Sequence, residues 1–195
     1  DFKDNKKLNK DLELLVSQSQ RCKEILRKLS LNPKIDDQFL NTNLYLSDYL
    51  NEIIRSFEEI SEKKFNINLD KFSEKITIGK STEIIYGLRN FIGNAVKFSN
   101  ERVLIYLKSN NKDIEIRIND DGPGFPEDII KILGEPYIRS KSKKVSSNSG
   151  LGLGTFLGKT LLEKQGANLL FSKDMNLGGA SVSSKWTVKS LNANV

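Results

Sequence analysis

The chain has 195 residues, with 31 lysines and arginines against 25 aspartates and glutamates, a net charge of +6, one cysteine and no histidine. One cysteine excludes an internal disulfide, and the lack of histidine excludes histidine-ligated metal, Ser-His or Cys-His nucleophile pairs and a phosphohistidine within these residues. No apolar run approaches the ~18 residues that cross a bilayer, no signal-peptide pattern is visible, and no dense basic block with interleaved aromatics argues for nucleic acid. The length suits one well-cored domain with an appendage. Because the chain starts at Asp1 and its only methionine is Met175, the expectation is a soluble piece of a longer protein.

In chain order, Leu8, Leu12, Leu15, Ser19, Cys22, Leu26 and Leu29 alternate steps of four and three. That is a heptad seam, the mark of a helix packed lengthwise on another, and Asn32-Pro33 stops it. Residues 1–32 are therefore expected to form one long coiled-coil-type helix, half of a hairpin that dimerises into a bundle, followed by a polar linker over 33–43. From residue 44 onward the pattern turns mixed. Ser47 is placed to cap a helix through about Glu59, and "FNINLD" and "KITIG" alternate like short strands. A second helix is predicted over Thr82–Phe98, then "RVLIYLKS" and "DIEIRIND" as a hairpin across "NNKD", a glycine-rich corner opening another helix, and "ANLLFSKD" with "SVSSKWTV" as a closing hairpin. The fold class expected is α+β: an α/β sandwich with a mostly antiparallel sheet over 44–195, preceded by the long helix.

Three stretches carry chemistry. In "LRNFIGNAVKFS" the residues Ile84, Leu88, Phe91, Ile92, Ala95 and Val96 line an apolar face, while Asn90, Asn94 and Lys97 share another face from consecutive turns. Such a trio is either a solvated polar face or amide oxygens for a hard cation beside a lysine for phosphate. In "INDDGPGFP" Asp120 ends a strand ahead of Gly122 and Gly124, which serves an ordinary turn or an open pocket with a carboxylate acceptor. In "GLGLGT" glycines at every second position precede a helix whose first N–H groups are unpaired, a corner suited to chain reversal or to an anion such as phosphate. The three occur in one order, which chance explains poorly.

That order resembles the ATP-binding catalytic domain of sensor histidine kinases, in the superfamily that includes gyrase, the Hsp90 chaperones and the MutL repair proteins. "NFIGNAVKFS" is similar to the family's N box, "DDGPG" to its first glycine box, "GLGLG" to its second and "GGASV" to its last. The resemblance implies ATP and Mg²⁺, with Asn94 coordinating the metal, Asn90 and Lys97 holding phosphates, and these three carrying catalysis. It implies that Asp120 accepts from the adenine amine, that Gly122 and Gly124 shape the pocket, and that Ser181 supports the aspartate. Gly150, Leu151, Gly152, Leu153, Gly154 and Thr155 would line the phosphates. A lid is expected over about 134–150, with Lys141, Lys143 and Arg139 either phosphate contacts or a solvated charge run, and Tyr137 where the family often has phenylalanine.

"DLELLVSQSQRCKEILRKLS" resembles the second helix of the dimerisation and phosphotransfer domain in redox-responsive RegB-type kinases, in which a cysteine at the place of Cys22 is implicated in sensing. Cys22 equally fits the seam as a small apolar residue. The resemblance further implies a homodimer through this helix, a response-regulator partner, a cytoplasmic location, and a parent protein anchored in the bacterial inner membrane. Two rival readings stand beside it. An ATPase clamp of the gyrase or Hsp90 kind would need a glutamate base where this chain has Asn90, and a binding module without catalysis would not need the retained motifs.

Overall fold

A computed structural model describes residues 44–71, 73, 76–79, 81–110, 112–136, 138 and 153–191, together with Val16. The chain divides into two compact units, Asp1–Phe39 and Leu40–Val195. The predicted helix over 1–32 with Cys22, and the linker over 33–43, lie outside the described residues apart from Val16.

Within the second unit the strand-forming segments assemble by their alternation. Strands β4 (Arg102–Ser109) and β5 (Asp113–Asp120) pair antiparallel with Ile105 opposite Ile118. Val103, Ile105 and Leu107 of β4 and Ile114, Ile116 and Ile118 of β5 are buried on one face. The alternate residues form a polar outer face, where Glu115 pairs with Arg117 at 2.6 Å and Asp113 with Lys185 at 3.2 Å. Strand β2 (Lys64–Leu69) joins β4 in parallel, and β7 (Ala180–Thr187) pairs antiparallel with both β5 and β6 (Asn168–Lys173). The order β2-β4-β5-β7-β6 is thus a mostly antiparallel five-stranded sheet, as predicted.

Among the described residues three α-helices cover the apolar face. Helix α1 spans Leu46–Glu58, α2 Thr82–Phe98 and α3 Leu153–Lys164. Helix α2 starts where Ser81 accepts a hydrogen bond from Ile84 N at 3.2 Å, and it buries Ile84, Leu88, Phe91, Ile92 and Ala95. Helix α1 lays Phe57 against Gly93 of α2, and Arg89 stacks 5.0 Å from the Phe57 ring centroid while donating to Ser56 Oγ.

Two local expectations need correction. Ser47 is not a cap: it is buried in the first turn of α1, and the N-cap is Tyr45, without a side-chain bond. The helix entry is fixed instead by pairing of β1 (Leu44–Tyr45) with β3 (Thr77–Ile78), and Leu46 N donates to Ile76 O at 2.8 Å. For the same reason "KITIG" contributes a two-residue strand to this separate ribbon and not to the main sheet.

Candidate functional site

Helices α2 and α3 approach closely because each offers a glycine to a bulky residue of the other. A Cβ on Gly87 would overlap Leu162, and one on Gly158 would stand 2.9 Å from the Phe91 ring. This contact brings the start of α3 over the polar face of α2. Asn90 Nδ2 donates back to Tyr86 O at 2.8 Å, and Asn94 Nδ2 donates to Thr155 Oγ1 at 3.2 Å. With both amide nitrogens engaged, the two Oδ1 atoms face Gly154, each within 3.6 Å of where its Cβ would stand. Two neutral oxygens therefore converge beside the first turn of a helix, where backbone N–H groups lack intrahelical partners. Lys97 is exposed one turn on, its ammonium 5.2 Å from the Phe98 ring centroid.

Asp120 forms the second part of the site. It ends β5 with its side chain buried, 4% exposed. Among the described residues its donors reach one oxygen only: Gly122 N gives to Oδ1 at 2.9 Å and Ala180 N at 3.1 Å. Burial pushes this carboxyl above the usual carboxylate range, overriding those two hydrogen bonds, with the charges of Asp121 and Asp174 adding to the rise. At two positions the backbone around it admits no side chain. A Cβ on Gly122 would fall on the carbonyl oxygen of Phe98, and one on Gly179 would fall on the carbonyl oxygen of Asp120 and 2.5 Å from its Oδ1. Gly124 has φ +79°, a conformation that L side chains rarely adopt.

Between the two parts runs a row of rings. Phe91 of α2 meets Phe171 of β6 at 5.9 Å, and Phe171 meets Phe125, next to Gly124, edge-on at 5.8 Å.

Ser181 does not bond Asp120 directly. Its hydroxyl donates to Asn119 Oδ1 at 2.8 Å, because the β5–β7 register sets Ser181 opposite Asn119, and successive residues of a strand point to opposite faces. Asn90, Asn94, Leu153, Gly154 and Thr155 are thus brought together around the start of α3, and Asp120, Gly122 and Gly124 around the end of β5. Tyr137, Arg139, Lys141, Lys143, Gly150, Leu151 and Gly152 lie outside the described residues. Sequence reasoning missed Gly179, Ala180, Phe125 and Phe171. The signal for the first two lay in "GGASV", whose second glycine is the one pressed against Asp120.

The second acid of "DDGPG" has a structural task. Asp121 Oδ1 accepts from the N–H groups of Asn100, Glu101 and Arg102 at 2.9, 3.0 and 3.1 Å, fastening the α2–β4 connection against which Gly122 packs. Partial burial pushes its carboxyl up, but those N–H groups outweigh it and hold the carboxyl below the usual range. Asp121→Ala is expected to cost about 2 kcal/mol of stability at pH 7, measured by urea unfolding. A depressed carboxyl stabilises above its unfolded value and loses that contribution as pH falls through its folded value. The gap between parent and variant should therefore shrink below about pH 4.

Residues 79–189 match the family described as histidine kinase-, DNA gyrase B- and HSP90-like ATPase. The sensor histidine kinase RegB of Cereibacter sphaeroides is 35% identical over 178 residues, which cover 85% of this chain and 37% of that protein. The chain therefore spans little more than a third of the length of that relative. Among solved structures, the mycobacterial sensor histidine kinase MprB superposes with a TM-score of 0.64 at 23% identity, covering 75% of this chain and 97% of that one. Full-length ShkA in complex with AMPPNP gives 0.60 at 21% identity, covering 74% of this chain and 30% of that one.

Proposed function

The chain belongs to the histidine kinase-, DNA gyrase B- and HSP90-like ATPases, and on that premise we propose that it is the ATP-binding catalytic part of a sensor histidine kinase. The observation that carries the reading is the pairing of a buried Asp120, held by one carboxylate oxygen, with two amide oxygens aimed at the start of α3. In this reading Asp120 Oδ2 accepts from the exocyclic amine of adenine, Gly122 and Gly124 let the base approach the backbone, and Phe125 and Phe171 supply apolar contact. The phosphates lie at the N–H groups of Leu153, Gly154 and Thr155, with Lys97 supplying positive charge. From the sequence resemblance alone, Gly150, Leu151, Gly152, Tyr137 and Lys141 are proposed as further ATP contacts.

The donor set fits Mg²⁺. Amide oxygens are hard neutral ligands, and this ion commonly takes one or two protein oxygens together with phosphate oxygens and water. Among the described residues no group of three or more acidic, histidine or cysteine side chains could hold a metal alone, so a shared site with phosphate suits them. Asn94, with Asn90 beside it, would hold the ion, which when bound neutralises phosphate charge.

Catalysis is then positioning. The γ-phosphoryl group passes from the β-γ bridging oxygen to an imidazole nitrogen, the P–O bond breaking as the P–N bond forms, with ADP leaving. As the 195 residues hold no histidine, the acceptor lies on another segment, and a response-regulator aspartate takes the group next. The N-terminal helix would dimerise the parent protein, and its sensor and membrane anchor would lie outside this chain. Among the described residues no helix is long and apolar enough to cross a membrane.

An ATPase clamp is disfavoured at one position. Asn90 stands where a clamp needs a glutamate to take a proton from water, and an amide cannot do so. The test is incubation of the full-length parent protein with Mg-ATP labelled at the γ-phosphate. Acid-labile, base-stable protein label, absent in Asp120→Asn, is expected. Free phosphate without protein label would overturn the kinase reading in favour of a clamp.

A further inference from the structure

The turn between β6 and β7 contains an acid with no place in the nucleotide site itself. Asp174 is 8% exposed, and a buried carboxylate is costly unless its oxygens are satisfied. Here both are. Oδ1 accepts from Asn119 Nδ2 at 3.0 Å and Oδ2 from Leu177 N at 2.7 Å. The backbone of the same residue closes the turn: Asp174 N donates to Gly179 O at 2.8 Å, and Gly178 N donates to Asp174 O at 3.0 Å. Ser181 then donates to the remaining side of the Asn119 amide. A fully satisfied buried network of this kind is rigid and specifies one geometry.

What the network holds in place is the mount of Asp120. Asn119 and Asp120 are neighbours on β5, so the network grips the strand from the outer face while Asp120 is presented on the inner one. The turn it fixes ends in Gly179, pressed against Asp120, and Ala180, whose N–H binds Asp120 Oδ1. We infer that Asp174, acting through Asn119 and the Gly179–Ala180 backbone, is a positioning residue that sets the orientation of the Asp120 carboxylate and thereby the preference for adenine. Asp174 itself does not touch the nucleotide. The inference rests on the reading of Asp120 as acceptor for the adenine amine.

The test compares ATP with inosine triphosphate, which lacks the exocyclic amine, by titration calorimetry on the 195-residue chain. The parent is expected to bind ATP more tightly. In Asp174→Asn the carboxylate acceptor for Leu177 N or for Asn119 is lost, and the preference for ATP is expected to fall about tenfold while the affinity for inosine triphosphate holds. Equal weakening of both nucleotides would show a purely structural role and overturn the inference, as would an unchanged preference. Asn119→Ala cuts the tie to β5 yet leaves the hydrogen bonds within the turn, and it should lower the preference in the same way; it decides the matter should Asp174→Asn not fold. Asp120→Asn separates the two levels. If it leaves the preference intact, the reading of Asp120 fails and the inference with it; if it abolishes the preference while the Asp174 and Asn119 variants keep it, only the inference falls.

Discussion

Asp120→Asn is expected to lower ATP affinity about a hundredfold while leaving the chain as stable as the parent or more so. The carboxylate keeps Oδ1 turned to the N–H groups of Gly122 and Ala180. In the variant the amide oxygen must stay with those two donors, so the amide nitrogen takes the place of Oδ2. A donor then faces the adenine amine, itself a donor, and a charge-assisted hydrogen bond worth about 2–3 kcal/mol is replaced by a mismatch. Stability moves the other way. Because burial holds the folded carboxyl above its unfolded value, the ionised form subtracts from stability at neutral pH, and that penalty fades as pH falls through the raised value. A neutral amide carries no such penalty. The pH profile gives a further check: ATP binding by the parent should weaken on acidification before ordinary carboxylates titrate, and this limb should be missing in the variant. Calorimetry and thermal melts at pH 7.5 read both halves, and unchanged ATP affinity would remove Asp120 from the base site.

Helix α2 and strands β4 and β5 were legible because their signals are local: an apolar stripe and strict alternation. The shared face of Asn90 and Asn94 was legible as spacing on one helix, but their convergence on Gly154 needed the α2–α3 crossing, which Gly87 and Gly158 make possible. Ser47 misled because a serine before a helical pattern is a common cap, whereas here the β1–β3 ribbon fixes the entry. Ser181 misled because its partner depends on register, and a shift of one residue exchanges Asn119 for Asp120. Asp174 carried no signal at all. Its partners lie on another strand and in its own turn, and nothing in "SKDMNLGG" distinguishes it from a solvated loop acid.

Adjacent glycines in that same turn supply the second large effect, since they look alike in sequence and differ in what surrounds them. At Gly178 nothing stands within 4 Å of a built Cβ, but φ is +82°, so Gly178→Ala meets only backbone strain of about 1 kcal/mol and should bind ATP like the parent. At Gly179 the added methyl would fall on the backbone carbonyl of Asp120. The nearest atom is backbone and the next, Asp120 Oδ1, is held by two N–H groups, so relief requires β5 and the turn to separate, which breaks the Ala180 N–H bond to Oδ1 and turns the carboxylate away from the base. Gly179→Ala is therefore expected to lose about 3 kcal/mol in urea unfolding and about a hundredfold in ATP affinity, a coupled loss that Asp120→Asn, stable but blind to adenine, does not show. If Gly178→Ala proved the more damaging of the two, the close approach of the turn to Asp120 would not be what builds the pocket. The contrast between one methyl tolerated and its neighbour excluded would place the origin of base recognition in backbone packing as much as in the acid itself.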